Sequence, residues 1–293
     1  MDKPAGPTSH DVVARVRRIL GTREVGHTGT LDPFATGLLV LLLGRATRLA
    51  RFLEGDRKQY LATAWLGMAT TTDDVTGDPT GRRTGGPTVG GPERSEVKSV
   101  LASFVGPQRQ RPPAFSAKQI GGERSYAKAR RGEAVELAEV DVVVHAVELV
   151  EYDFPELRFR ATVSAGTYVR ALARDLGERL HVGAHLTALR REAIGGLDVA
   201  DAVALEAVGP ETVLLSPLDV LGHLGRLDIT DAQAQDLGFG RRLHLAPEQT
   251  PIAGSAGLSG WTAAVAPGGR LVAIGRVNGA EFRPQVVLEA AAS

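Results

Sequence analysis

The chain has no cysteine. Disulfides, thiolate zinc sites, iron–sulfur clusters and cysteine nucleophiles are therefore excluded. Nor is there an excess of either charge, because 34 Lys and Arg stand against 34 Asp and Glu. A surface coated in positive charge is ruled out, whereas a local basic patch is not. Long apolar runs are missing too. The longest Leu/Val run, residues 38–43, falls far short of the ~20 residues that a membrane helix needs. No apolar signal segment follows Met1, so the expected compartment is the cytoplasm, without membrane contact. The chain lacks a Walker A motif, an HExxH pair and a dinucleotide fingerprint. What is present is ordinary for a globular protein: 293 residues, 43% apolar and 23% charged. That length predicts one large domain or two unequal ones.

Hydrophobic spacing outlines the elements. Thr8 and Ser9 open a helix on which Val12, Val13, Val16, Ile19 and Leu20 recur at helical intervals, with Arg15, Arg17 and Arg18 on the exposed face. Residues 26–37 form a loop, 38–43 a buried strand and 47–53 a short helix. Residues 59–66 alternate as a strand, with Tyr60, Ala62, Ala64 and Leu66 on one face. Residues 76–92, rich in Gly and Pro, form a loop. Val97, Val100, Leu101 and Phe104 mark a second helix. Strands at 140–150 and 157–164 flank a turn at 153–155, and a third helix carries Val169, Leu172, Ala173, Leu176 and Leu180. A strand at 186–194 and a short helix at 199–208 follow. The chain's one Asn sits in Val277-Asn278-Gly279 between apolar runs at 271–277 and 282–288, a hairpin signal. Strands and helices without regular βαβ alternation predict an α+β body over 1–226 and a small, mostly β domain over 227–293.

The densest chemistry lies in Gly26-His27-Thr28-Gly29-Thr30-Leu31-Asp32-Pro33-Phe34-Ala35-Thr36-Gly37. Its glycines allow tight turns and close backbone approach to a ligand. Pro33 biases Asp32 towards an extended conformation, which presents the carboxylate from a stiff loop. Spacing alone leaves two readings: a nucleophile or base, or an Asp-Pro turn with His27 packed beneath it. Asp73, Asp74 and Asp78 lack the pattern of an EF-hand and read as a polar loop.

The full wording carries more. Asp2-Lys3-Pro4-Ala5-Gly6, the basic helix and the aspartate loop closely resemble the bacterial tRNA pseudouridine synthases of the synthase B family, which modify the TΨC loop. Arg57-Lys58-Gln59-Tyr60, Thr72-Asp73-Asp74 through Gly77-Asp78, and residues 110–118 continue the match in order. Ser164-Ala165-Gly166-Thr167-Tyr168-Val169-Arg170 and Gly183-Ala184-His185-Leu186 to Leu189-Arg190-Arg191 complete it. The likeness is firm over residues 1–195 and weak in the tail. Family members carry a short apolar strand before the Asp-Lys-Pro, whereas here Met1 directly precedes Asp2, so that strand is either shortened or starts upstream.

The resemblance implies a mixed β-sheet with flanking helices and a C-terminal PUA-like β-barrel. It implies that uridine 55 of tRNA is isomerised to pseudouridine without cofactor or metal, the chain acting as a monomer on the T arm. Asp32 falls on the catalytic aspartate. Tyr60 falls on the tyrosine that stacks on the flipped base and assists proton removal at C5. Arg170 falls on the arginine that pairs with the aspartate, and Tyr168 and Leu189 fall on pocket residues. His27 falls on a histidine at the T-loop site. The residue types suit the chemistry: a carboxylate can stabilise positive charge on a sugar during glycosidic cleavage. An arginine keeps it ionised, and a flipped base needs an aromatic face. Attack on C1′, addition to the base and removal of a sugar proton all remain open to Asp32.

Residues 106–135 hold seven cations against two acids, a local charge of +5 that the rest of the chain must balance. Phe115 and Tyr126 lie among these cations. Arg109, Arg111, Lys118, Lys128 and Arg131 are therefore candidates for RNA contact, and in the family this region grips the T stem-loop. A non-catalytic tRNA-binding or tRNA-folding factor is the competing class. Asp32 discriminates between them, since a pure binder has no need of an ionised carboxylate facing an anionic ligand.

Overall fold

The structure is a computed structural model and describes residues 1–80, 90–115, 119–120, 123–124, 131, 137–254 and 260–289. Its body is built on an eight-stranded mixed sheet. The strands that matter for the site are β1 (Asp2–Lys3), β3 (Thr36–Leu38), β5 (Lys58–Leu66), β6 (Gly106–Gln110), β7 (Val140–Asp153), β8 (Glu156–Val163) and β9 (Ala184–Ile194). They lie in the order β1-β3-β9-β5-β8-β7-β6, with β10 (Leu197–Asp198) beside β9. The β3–β9 pair is parallel and the other neighbours are antiparallel.

Among the described residues three helices cover the sheet: α1 (Ser9–Leu20), α2 (Arg94–Ala102) and α3 (Val169–Arg179). Thr8 and Asp11 form a capping box that starts α1, and Gly21 in the left-handed region ends it. Val12, Val13 and Val16 of α1 share one core with Val97 and Leu101 of α2 and with Leu172 and Leu176 of α3. Strand β5 contributes Tyr60, Ala62, Ala64 and Leu66 to the same core, and β8 contributes Leu157, Phe159 and Ala161. Full burial of each large apolar side chain stabilises the fold by roughly 1.5–3 kcal/mol.

Several elements differ from the sequence reading. The loop expected at 26–37 begins in a strand, β2 (Val25–Thr28), and ends in β3. The run 38–43 is not one strand. Its first residue closes β3, and after Leu39 it restarts as β4 (Val40–Leu43), which pairs with β2 in a separate two-stranded sheet. The run breaks because it serves two cores: Leu39 belongs to the main core and Leu42 to a second one. The segment 47–53 is a 3-10 turn (Gly44–Leu49) leading into one α-turn (Ala50–Leu53). The helix expected at 199–208 is two 3-10 turns, Val199–Asp201 and Leu205–Ala207. A short first strand is present as β1, with Asp2 opposite Leu38 and Lys3 opposite Gly37.

The tail forms a five-stranded sheet from β11 (Gly225–Asp228), β12 (Leu243–His244), β13 (Thr262–Ala266), β14 (Arg270–Asn278) and β15 (Glu281–Val287). Its order is β11-β13-β14-β15-β12. The expected hairpin forms, but its two-residue turn is Gly279-Ala280: Asn278 still pairs with Glu281, and Gly279 takes the positive φ. The second core joins this sheet to the segment after β4: Leu49, Phe52 and Leu53 pack with Leu221, Leu224, Val265 and Ile274. Arg45 and Arg48 donate to the carbonyls of Leu288 and Val287 across the joint. Among the described residues no helix is long and apolar enough to cross a membrane.

Candidate active site

Asp32 sits in a loop pinned on both sides. Before it, Ser9 Oγ accepts from the Leu31 N–H at 3.0 Å and donates to the Leu31 carbonyl at 3.2 Å. After it, the buried Lys3 ammonium donates to the carbonyls of Pro33 (3.2 Å) and Ala35 (2.7 Å). The Gly6 N–H also donates to the Pro33 carbonyl, at 2.8 Å. At the loop's exit Gly37 has φ +101°, and a Cβ there would lie 2.3 Å from the Arg191 carbonyl oxygen. Only glycine lets β3 approach β9 so closely.

The carboxylate meets Arg170, the second residue of α3. Arg170 Nε lies 3.0 Å from Asp32 Oδ2, and Nη2 donates to Asp32 Oδ1 at 3.2 Å, a two-point grip. The remaining donors are also used. Nη1 donates to the Thr72 carbonyl and to Asp74 Oδ2 at 3.1 Å, and Nη2 donates to the Phe115 carbonyl. Asp74 is itself held by Thr72 Oγ1 and by the Thr76 N–H and hydroxyl. Asp73 accepts from Arg174 Nη1 at 3.0 Å. The 72–78 segment is a polar loop, as expected, but with buried ion pairs. Two of its aspartates are buried partners of helix α3, a role hidden in sequence because their arginines lie about a hundred residues away. Burial pushes the Asp32 carboxyl above its ordinary range; Arg170 opposes this and the nearby Asp74 charge adds to it. Burial also lifts Asp73 to about 6, against the pull of Arg174.

Asp32 and Arg170 lie at a cavity of about 260 Å³. Tyr60, Tyr168, Leu189, Thr30, Lys58 and Arg191 line it with them. Tyr168 is the residue before α3 and still extended, which is how it and Arg170, two apart, reach one cavity. Gln110 fixes it with a reciprocal pair, donating to the Tyr168 carbonyl (3.0 Å) and accepting from its N–H (2.8 Å). Sheet register places Arg191 opposite Tyr60 and Leu189 opposite Ala62. Burial, with Arg191 nearby, pushes the Lys58 ammonium down to about 8, against the pull of Asp56 and Glu54.

The structure therefore brings Asp32, Tyr60, Tyr168, Arg170 and Leu189 together. His27 stands apart from the cavity lining, edge-on to the His10 ring at 5.3 Å, with a buried Nδ1 that has no partner. Burial lowers its pKa, and His10 and Arg191 lower it further. Arg109, on β6, lies 3.2 Å from Glu139, and Arg111 and Arg131 are exposed. Lys118 and Lys128 lie outside the described residues. Sequence reasoning did not single out Lys3, Lys58, Asp74 or Arg191 as site residues. All four lie in stretches that carry the resemblance, but nothing in linear order marks them as neighbours. Among the described residues no cluster of acids and histidines could hold a metal ion.

A carboxylate gripped by arginine at an aromatic-lined cavity, carried on a mixed sheet, has the make-up of an enzyme's active site. Comparison with known proteins gives that class its family. The model for the N-terminal domain of TruB family pseudouridylate synthases matches residues 17–169. The tRNA pseudouridylate synthase B C-terminal domain matches 170–216, and the C-terminal model of tRNA pseudouridine synthase II matches 224–289. The chain belongs to the TruB family of pseudouridylate synthases. It is 45% identical to a tRNA pseudouridine synthase B of Leifsonia xyli subsp. xyli, over 98% of this chain and 94% of that protein. It is 40% identical to one from Synechococcus sp. (strain WH7803), over 99% and 96%. Among solved structures it resembles a chain of the archaeal box H/ACA sRNP Nop10–Cbf5 complex. There the TM-score is 0.71 and the identity 25%, covering 99% of this chain and 85% of that one. The architecture is that of a pseudouridine synthase, with a mixed sheet, flanking helices and a PUA-like β-domain.

Proposed function

We propose that the protein isomerises uridine 55 in the T loop of tRNA to pseudouridine. The reaction breaks N1–C1′, turns the base and joins C5 to C1′; C5 gives up its proton and the freed N1 takes one up, so substrate and product have the same atoms. The observation that carries this reading is the two-point Asp32–Arg170 pair at the Tyr60–Tyr168 cavity. A target base inside a folded loop must leave its stack before it can react. The cavity suits one flipped nucleotide, with the base on the Tyr60 ring and the sugar towards Asp32. Cleavage of the glycosidic bond builds positive charge at C1′, which the Asp32 carboxylate stabilises. Arg170 holds the carboxylate ionised and aimed, Tyr60 assists loss of the C5 proton, and Tyr168 and Leu189 bound the base.

The same reading divides the chain near residue 226. The catalytic unit includes a basic arm at about 106–135, in which Arg109, Arg111, Lys118, Lys128 and Arg131 contact the T-arm phosphates. His27 contacts the T loop. The five-stranded sheet is a PUA-like unit that extends the RNA surface, and the protein works as a cytoplasmic monomer. Incubation with an unmodified T-arm hairpin, followed by pseudouridine mapping, tests the function. One modified nucleotide at the T-loop uridine is expected; an unmodified hairpin after exhaustive incubation contradicts it.

A further inference from the structure

Two cations in the cavity have no role in the chemistry above. Lys58 is 8% exposed and Arg191 1% exposed. They converge on one point of the aspartate loop: a Cβ added to Gly29 would lie 3.2 Å from Arg191 Nη1 and 3.4 Å from Lys58 Cε. Among the described residues, the hydrogen bonds of both go to carbonyls. Lys58 Nζ donates to those of Glu54 (3.0 Å) and Asp56 (2.9 Å). Arg191 donates through Nε to the Leu38 carbonyl and through Nη2 to the Gly29 carbonyl, both at 2.7 Å. Among the described residues neither forms an ion pair. The nearby Asp32 has both oxygens on Arg170.

Buried cations side by side with no carboxylate in direct contact are costly. Asp56 and Glu54 act on Lys58 without an ion pair, burial outweighs their pull, and carbonyl dipoles leave the net charge in place. An anion that arrives with the substrate offsets it. RNA offers such an anion at every phosphate. The register fits a particular one. Lys58 and Tyr60 lie on the same face of β5, two residues apart, which is about 7 Å along a strand. That is the reach from a base to its own backbone phosphate. Gly29, lacking a side chain, leaves the approach to both cations open, and Thr30 lines the cavity beside them.

We propose that Lys58 and Arg191 form a subsite for a phosphate flanking the flipped nucleotide. The inference rests on reading the cavity as that nucleotide's pocket. The subsite anchors the nucleotide's backbone while its base lies on Tyr60, so it selects for a chain phosphate over a free nucleoside. The depressed proton affinity of Lys58 agrees with a charge awaiting its partner.

The test uses T-arm hairpins in which the phosphate 5′ or 3′ of the target uridine is replaced by a neutral methylphosphonate. Affinity and single-turnover conversion are measured with the wild-type protein, Lys58→Met and Lys58→Arg. For one of the two positions, neutralisation is expected to weaken wild-type binding roughly tenfold or more, the worth of a charge-assisted contact. Lys58→Met should lose a similar factor on the natural hairpin and little more on the neutralised one, while Lys58→Arg recovers most of the loss. Wild-type protein that binds and converts both neutralised hairpins like the natural one overturns the subsite and leaves the functional reading intact. Losses that multiply between Lys58→Met and the methylphosphonate also overturn it. Failure of the wild type to modify the natural hairpin would overturn both.

Discussion

Asp32 is charged in surroundings that oppose its charge. Burial pushes its pKa above the ordinary aspartate value, and Arg170 is the main force in the other direction. For an acid whose folded pKa is raised, the folded state holds the proton more tightly than the unfolded chain, so its ionisation costs stability as pH rises through that value. Two results follow. The acid limb of the pH–rate profile should lie above that of an exposed aspartate, and Arg170→Met should move it further up while slowing turnover. At neutral pH, Asp32→Asn should melt no lower than wild type. At Tyr60, base–aromatic stacking is worth ~1–3 kcal/mol, so Tyr60→Ala should weaken binding and turnover alike. Tyr60→Phe should bind the hairpin normally and turn over slowly, as single-turnover rates would report. Asp32 was legible in the sequence because the wording from Gly26 to Gly37 is contiguous and carries the family resemblance. Spacing alone left an Asp-Pro turn open, since its supports Lys3, Ser9 and Arg170 lie outside that stretch. Lys58 and Arg191 were not legible, because they meet only through the pairing of β5 with β9, 133 positions apart.

At the scale of elements, the aspartate loop takes its shape from its neighbours. Lys3 and Ser9 hold the carbonyls on either side of Asp32, and Gly37 lets the loop's exit lie against Arg191. Gly37→Ala adds a methyl at positive φ against a backbone oxygen. It should cost at least ~1–3 kcal/mol, read as a lower urea midpoint, and should slow turnover by displacing Asp32. The alternating strand at 59–66 and the capped first helix were readable because one buried face imposes a period. The apolar run at 38–43 has no period. Sequence therefore could not say that Leu39 and Leu42 enter different cores. The 72–78 aspartates read only as a polar loop because polarity shows in a sequence and a distant arginine partner does not.

Across the whole molecule, a net charge of zero conceals a basic segment of +5. Removing charge at Arg109, Arg111, Lys128 and Arg131 should flatten log affinity against log salt by roughly 0.7–0.9 per lost phosphate contact. Arg109 should contribute less than an unpaired arginine would, since Glu139 lies 3.2 Å away, and the rate at saturating RNA should stay near wild type. The small β-sheet was legible from its Asn-Gly hairpin, but its attachment was not. Phe52 meets Trp261 edge-on at 5.2 Å, an aromatic contact across 209 positions. All of these parts serve one carboxylate, and Asp32→Asn isolates it because the side chain keeps its shape and loses only its charge. The decisive measurement is single-turnover pseudouridine formation in a saturated T-arm hairpin, with hairpin affinity measured in parallel. The account predicts affinity close to wild type and a rate lower by several orders of magnitude. An Asn variant that converts the hairpin at a near wild-type rate would contradict it.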